Sequence, residues 1–192
     1  MQTTQQKWDS IYQKKTSSSI EPSLVLAHYS HLLPKHGLAL DLACGQGGNS
    51  FLLAEHGLQV DAWDISAVAI NQIKMRQQNH QRISASVVDI SCRKIPPQSY
   101  DVIVVSRFLE RSLIPDLIHA LKLGGLIFYQ TFTQERVSTS GPSNPLYLLK
   151  KGELLSLFSS LVPIIYHDEG LIGDTQQGIR NEALLVAQRL SF

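Results

Sequence analysis

Three aspartates, Asp41, Asp64 and Asp89, lie at or beside the ends of successive apolar runs, and the first run opens into the glycine-rich stretch "ALDLACGQGGNS" at residues 39–50. A strand, a turn holding Gly45 and Gly47, then a helix lets the backbone approach a ligand closely and aims unpaired N–H groups at an anion. The same glycines could serve only to turn the chain. Asp41 bears on the choice, because a carboxylate at that junction repels a pyrophosphate, and Ser50 stands where a dinucleotide site carries its third glycine. A zwitterion removes the conflict: its ammonium can face Asp41 while its carboxylate faces the helix N-terminus. Asp64, about 20 residues beyond the turn, can accept from both hydroxyls of a ribose, with Ile65 next to it, but a dinucleotide has the same need. Asp89 could accept from an adenine amino group with Ile90 flanking the ring, and could equally be a turn residue.

These residues need a scaffold that delivers them to one edge. Apolar runs at 38–42, 58–64, 83–89, 100–106, 125–132, 162–167 and 182–189 alternate with amphipathic stretches, the pattern of βαβ units on a mostly parallel sheet. Helices are expected at 49–56, ending at Gly57; from a Ser66 cap to about Gln78, burying Val68, Ile70 and Ile73; and from Pro115 to a stop at Gly124. Only the loop 168–179 separates the last two runs, which suits an antiparallel pair at one end of the sheet. The segment 133–149 has no clear element and is the expected place of a lid or specificity loop.

Other side chains could reach a bound ligand from the same end. Arg107, after the fourth run, could hold an anionic group or steady a ligand carboxylate, or be paired structurally. Glu135, Arg136 and Tyr147 lie on the irregular segment, and His167, before Asp168 and Glu169, could be a general base tuned by those acids. Trp8, Ile11 and Tyr12 share one face if residues 5–15 are helical, either docking that helix on the sheet or forming a lid. Cys44 suits a small packed side chain. The histidines show no HxH or HxxxH spacing, so no metal site is expected.

Composition narrows the classes. At 192 residues and 43% hydrophobic, the chain can bury one substantial core, so residues 1–192 are expected to form a single domain with 1–30 as a helical N-terminal extension. A net charge of +1, without a basic run interleaved with aromatics, does not point to nucleic acid. Two distant cysteines, a polar start and no long apolar run fit a cytoplasmic protein with no membrane partner.

With these residues in place, the chain resembles class I S-adenosylmethionine-dependent methyltransferases over about residues 8–189: "ALDLACGQGG", "VDAWDIS", "VVDI" and "YDVIVVSRFLE…LIHALKLGGLIFYQTF" match successive family motifs in order. The later segment "GPSNPLYLLKKGELLSLF" is similar to small bacterial tellurite-resistance-type members. The resemblance implies an α/β, Rossmann-like three-layer sandwich whose seven-stranded, mostly parallel sheet has its last strand antiparallel. It implies S-adenosylmethionine as cofactor, its methionine end on Asp41, Ala43, Gly45 and Gly47, its ribose on Asp64 and its adenine on Asp89 and Ile90. Ala43 replaces the first glycine of the usual Gly-x-Gly-x-Gly, and Leu123 the usual Pro before the glycine pair. No motif of the exocyclic-amine or pyrimidine-carbon base methylases follows the fourth run, so a small-molecule acceptor is expected; a donor-binding regulatory or scaffold protein without turnover is the alternative.

Overall fold

The structure, a computed structural model, describes residues 3–14, 20–77 and 81–191. Gln78, the expected end of one helix, Lys15 and most of the Ser-rich 16–20 stretch lie outside them. Seven strands, β1 (Leu38–Leu42), β2 (Gln59–Asp64), β3 (Ile83–Val87), β4 (Tyr100–Ser106), β5 (Leu121–Phe132), β6 (Val162–His167) and β7 (Glu182–Gln188), form one sheet in the order β3-β2-β1-β4-β5-β7-β6. The first five pair in parallel, and β7 runs antiparallel to both β5 and β6. The order reverses at β1, so the carboxyl ends of β1 and β4 diverge into helices on opposite faces and leave a crevice between them.

Both faces of the sheet are covered, which is why the central strands read as continuous apolar runs rather than alternating ones. On one face α2 (Leu24–His28), α3 (Gly48–Glu55) and α4 (Ala67–Arg76) bury Val25, Leu26, Leu53, Ile70 and Ile73 against Val60, Val104 and Phe128. Val68, expected in that buried set, is only half-buried. On the other face α5 (Ile114–Ala120) and α6 (Glu153–Leu157) pack Leu117 and Leu154 with Ile103, Ile127 and Tyr129, and the loop after β3 adds Ile90 and Ile95. The remaining helix, α1 (Thr4–Lys14), has no buried residue and lies against α4.

Two boundaries differ from the sequence reading. The helix expected to run to Gly124 stops at Ala120, because Gln98 and Ser99 donate to the carbonyls of His119 and Ala120 and Leu121 pairs with Tyr100. Residues 122–125 then bulge the edge of β5; a Cβ on Gly125 would stand 3.1 Å from the Tyr100 carbonyl oxygen. The third strand ends at Val87 rather than Asp89, although the Val88 amide still bonds the Asp64 carbonyl at 2.8 Å.

Candidate functional site

Between β1 and α3 the backbone takes a left-handed conformation at Ala43 (φ 54°), Gly45 (φ 55°) and Gly47 (φ 89°). At Ala43 this is a cost a glycine would avoid. Gly47 caps α3 without a side chain. Gly48 is tight for another reason: a Cβ there would lie 2.3 Å from the Glu21 carbonyl oxygen, so the segment leading into α2 crosses directly over the start of α3. Asn49 fixes that crossing by accepting from the amide and hydroxyl of Ser23 at 2.7 and 2.9 Å.

Two carboxylates meet at this turn. Asp41, 1% exposed, accepts from the Ser50 hydroxyl at 2.5 Å. Asp64, 5% exposed, accepts from the amides of Gly45 and Ser66, both at 2.8 Å, so its carboxylate bridges the glycine turn and the start of α4. Burial pushes the Asp41 carboxyl up to about 7, against the bonds from Ser50 and Asn49 and assisted by the charge of Asp64. Burial raises Asp64 as well, opposed by its two amide donors and reinforced by Asp9. Cys44, packed between them, is raised by burial and by both carboxylates.

Helix α1 closes the cluster from above. Asp9 accepts from the Ser66 hydroxyl at 2.5 Å and the Val68 amide at 3.2 Å, which adds a second cap to α4. Tyr12 stacks on Trp8 with ring centroids 5.9 Å apart and brings its phenol oxygen to 2.8 Å from where a Gly45 Cβ would be. Its ionisation is raised by burial and then by Asp64, Cys44 and Asp41. The aromatic face of α1 therefore covers the glycine turn and α4, not the sheet.

The remaining expected site residues are dispersed. Ile65 is half-buried beside Asp64, while Ile90, 8% exposed, packs with Trp63, Val88 and Ile95. Asp89 is exposed and turns its carboxylate onto the amide and hydroxyl of Ser91, at 3.0 and 2.6 Å. Arg107, itself left-handed (φ 54°), pairs with Glu182 at 2.8 Å and lies over Phe132; Glu182 also accepts from Gln130, whose amide oxygen takes the Val25 amide at 2.8 Å. Arg136 bonds the carbonyls of Ser140 and Pro142, Tyr147 is exposed, and Glu135 pairs with Lys151 at 3.6 Å. His167 meets the Tyr29 hydroxyl at 3.0 Å and Glu169 at 3.9 Å, whereas Asp168 turns to Lys151, the Gly152 amide and Tyr166. The 133–149 segment is tied down by Arg111, which donates to the carbonyls of Leu146 and Leu148 and both oxygens of Glu153. Among the described residues no group of three His, Cys, Asp or Glu side chains converges as metal ligands would, and no helix is long and apolar enough to cross a membrane.

Sequence reasoning missed Asp9, Asn49, Ser50, Arg111 and Glu153. Only Asp9 left a signal: it precedes Tyr12 by three residues and so shares its side of α1. The others are recognisable only once the chain is folded.

The fold, with its sheet ordered 3-2-1-4-5-7-6, superposes on the crystal structure of a SAM-dependent methyltransferase from Methanosarcina mazei with a TM-score of 0.67 at 18% identity, covering 90% of this chain and 100% of that one. The chain belongs to the tellurite resistance protein TehB family, whose model matches residues 5–133. It is 36% identical over 87 residues, 43% of this chain and 30% of the relative, to a protein named probable S-adenosyl-L-methionine-dependent methyltransferase TehB from Haemophilus influenzae. The crystal structure of TehB from that organism superposes with a TM-score of 0.71 at 22% identity, covering 95% of this chain and 67% of that one. An Idiomarina loihiensis protein named ubiquinone biosynthesis O-methyltransferase is 29% identical over 106 residues, 50% of this chain and 42% of the relative. The chain thus spans less than half the length of these curated relatives.

Proposed function

We propose that this chain binds S-adenosylmethionine at the glycine turn and transfers its methyl group to a small-molecule acceptor. The carrying observation is the pair of buried carboxylates, Asp41 and Asp64, at a turn of left-handed residues with no cationic side chain bonded to either among the described residues. Such a site is matched by a ligand with an ammonium group and vicinal hydroxyls, and opposed to a pyrophosphate. The family membership and the names its relatives carry support the same donor.

Residue roles follow from position. Asp41, through Ser50, sets the negative potential for the methionine ammonium, and the backbone at Ala43, Gly45 and Gly47 takes its carboxylate. Asp64 takes the ribose hydroxyls with Ile65 alongside, and Asp89 and Ile90 mark the adenine end. The donor supplies an activated methyl for in-line displacement, so the protein's share is alignment and exclusion of water, to which Tyr12 over Gly45 contributes. Arg107 reaches an anionic acceptor only by leaving Glu182. Residues 1–192 form one methyltransferase domain, acting in the cytoplasm on a small molecule rather than on nucleic acid or at a membrane.

Calorimetric titration with S-adenosylmethionine and with NADH tests the donor; micromolar binding of NADH and none of the methyl donor would overturn it. Release of S-adenosylhomocysteine across an acceptor panel that includes thiols and chalcogen oxyanions then tests transfer. Donor binding without release against every acceptor would leave the regulatory or scaffold role.

A further inference from the structure

The acids at the turn raise a question of charge balance. Asp41 on β1 faces Ser50 and Asn49 of α3, Cys44 of the turn and Asp64 of β2; Asp64 in turn faces Asp9, and Tyr12 of α1 lies over both. The strand beside it, β4, presents Val104, and the residue beyond, Ser106, bonds Asn49 at 3.4 Å. Among the described residues this set holds three carboxylates and no lysine, arginine or histidine. Asp64 and Asp9 each receive two hydrogen bonds, three of the four from backbone amides. Asp41, at 1% exposure, is bonded by the Ser50 hydroxyl and amide and by the Asn49 side chain, none of them a cation. A fully buried carboxylate next to a second one, without a cation, keeps a proton instead of its charge.

We infer that the donor enters by cation exchange: the empty protein carries a proton on Asp41, and the ammonium of the donor replaces it, the proton leaving to solvent. This rests on the donor site proposed above. The exchange is balanced, since one positive charge departs as the other arrives and no covalent bond to carbon is made or broken. Its consequence is that donor affinity depends on pH across the neutral range. Burial of Asp41, which puts its titration near 7, sets where the dependence falls.

The test is calorimetric titration of the intact chain with S-adenosylhomocysteine, which carries the same amino-acid end, in pairs of buffers with different ionisation enthalpies. Release of about half a proton at pH 7, approaching one at pH 6 and near zero at pH 8.5, is expected, with binding about tenfold tighter at pH 8 than at pH 6. In Asp41→Asn the release should vanish. In Ser50→Ala, which removes a bond that favours the ionised form, the midpoint should move to higher pH, and this variant keeps the test open if Asp41→Asn does not fold. Binding with equal heats in both buffers at pH 7 overturns the exchange and leaves the donor site standing. Release undiminished in Asp41→Asn overturns the assignment to Asp41, and no binding in any buffer removes the donor site and the exchange together.

Discussion

Replacing Gly48 by Ala separates local propensity from tertiary contact. Gly48 is the first residue of α3 and its φ is not positive, so by helix propensity Ala should stabilise the protein by up to about 1 kcal/mol. The folded chain forbids it. A Cβ at Gly48 would stand 2.3 Å from the Glu21 carbonyl oxygen, 2.7 Å from its carbon and 3.1 Å from the Pro22 nitrogen, all backbone atoms that cannot rotate away. Relief requires lifting residues 21–23 off α3, and that breaks the two bonds from Ser23 to Asn49 at 2.7 and 2.9 Å. Overpacking costs about 1–3 kcal/mol and two half-buried hydrogen bonds about 1 kcal/mol each, so after the propensity gain of about 1 kcal/mol the net loss is about 2–4 kcal/mol. For a chain of this size that is a fall in melting temperature of about 4–16 °C. Urea denaturation of Gly48→Ala, beside Ser23→Ala as the variant that loses one donor without the clash, measures it. Stability equal to or above the parent would refute the reasoning, because it would mean the crossing segment does not rest on α3.

Asp41 makes the stability of the empty protein pH-dependent with a definite sign. Its carboxyl titrates near 7 when folded and near the ordinary 3.8 when unfolded, so between those values the native state holds more protons and stability falls as pH rises, levelling above about 7. The full effect is on the order of 4 kcal/mol, and denaturation midpoints of Asp41→Asn between pH 4.5 and 8 should lack that slope. Asp64→Ala removes the acceptor of both the Gly45 and Ser66 amides, and is expected to weaken S-adenosylhomocysteine binding at least 100-fold by calorimetry; unchanged affinity would exclude Asp64 from the site. Arg111→Ala loses four hydrogen bonds and the bidentate partner that holds Glu153 below the usual carboxylate range. It should cost about 2–3 kcal/mol and speed protease cleavage within 133–149 several-fold, with Arg111→Lys recovering only part because a lysine cannot fork. Tyr12→Ala uncovers Gly45 and should accelerate dissociation of S-adenosylhomocysteine in stopped flow, while melting temperature changes little because α1 buries no residue.

What the chain announces by itself is whatever depends on neighbours a few residues away. Period-two and continuous apolar runs located all seven strands to within a few residues, Ser66 was legible as a cap and Gly57 as a left-handed helix stop, since each is set by local backbone sterics and side-chain reach. The strand after α5 was misjudged because pairing of Leu121 with Tyr100 outweighed the helical pattern of 115–124. Chemistry by type was also legible: acids at strand ends beside a glycine turn argue for a cationic ligand wherever the rest of the chain lies. Only the fold decided which of those acids face each other and what covers them. Asp9 reaches Ser66 across 57 residues of sequence, Arg107 is neutralised by Glu182 from 75 residues away, and Gly48 is glycine because Glu21 crosses above it. Such contacts leave no periodic trace, because a loop can close over many lengths at little extra entropic cost, so spacing does not encode them. The protonation of Asp41 belongs to this second group: it follows from burial and from the absence of a cation among the side chains that folding brings to it, and neither can be read from the residue's place in the sequence.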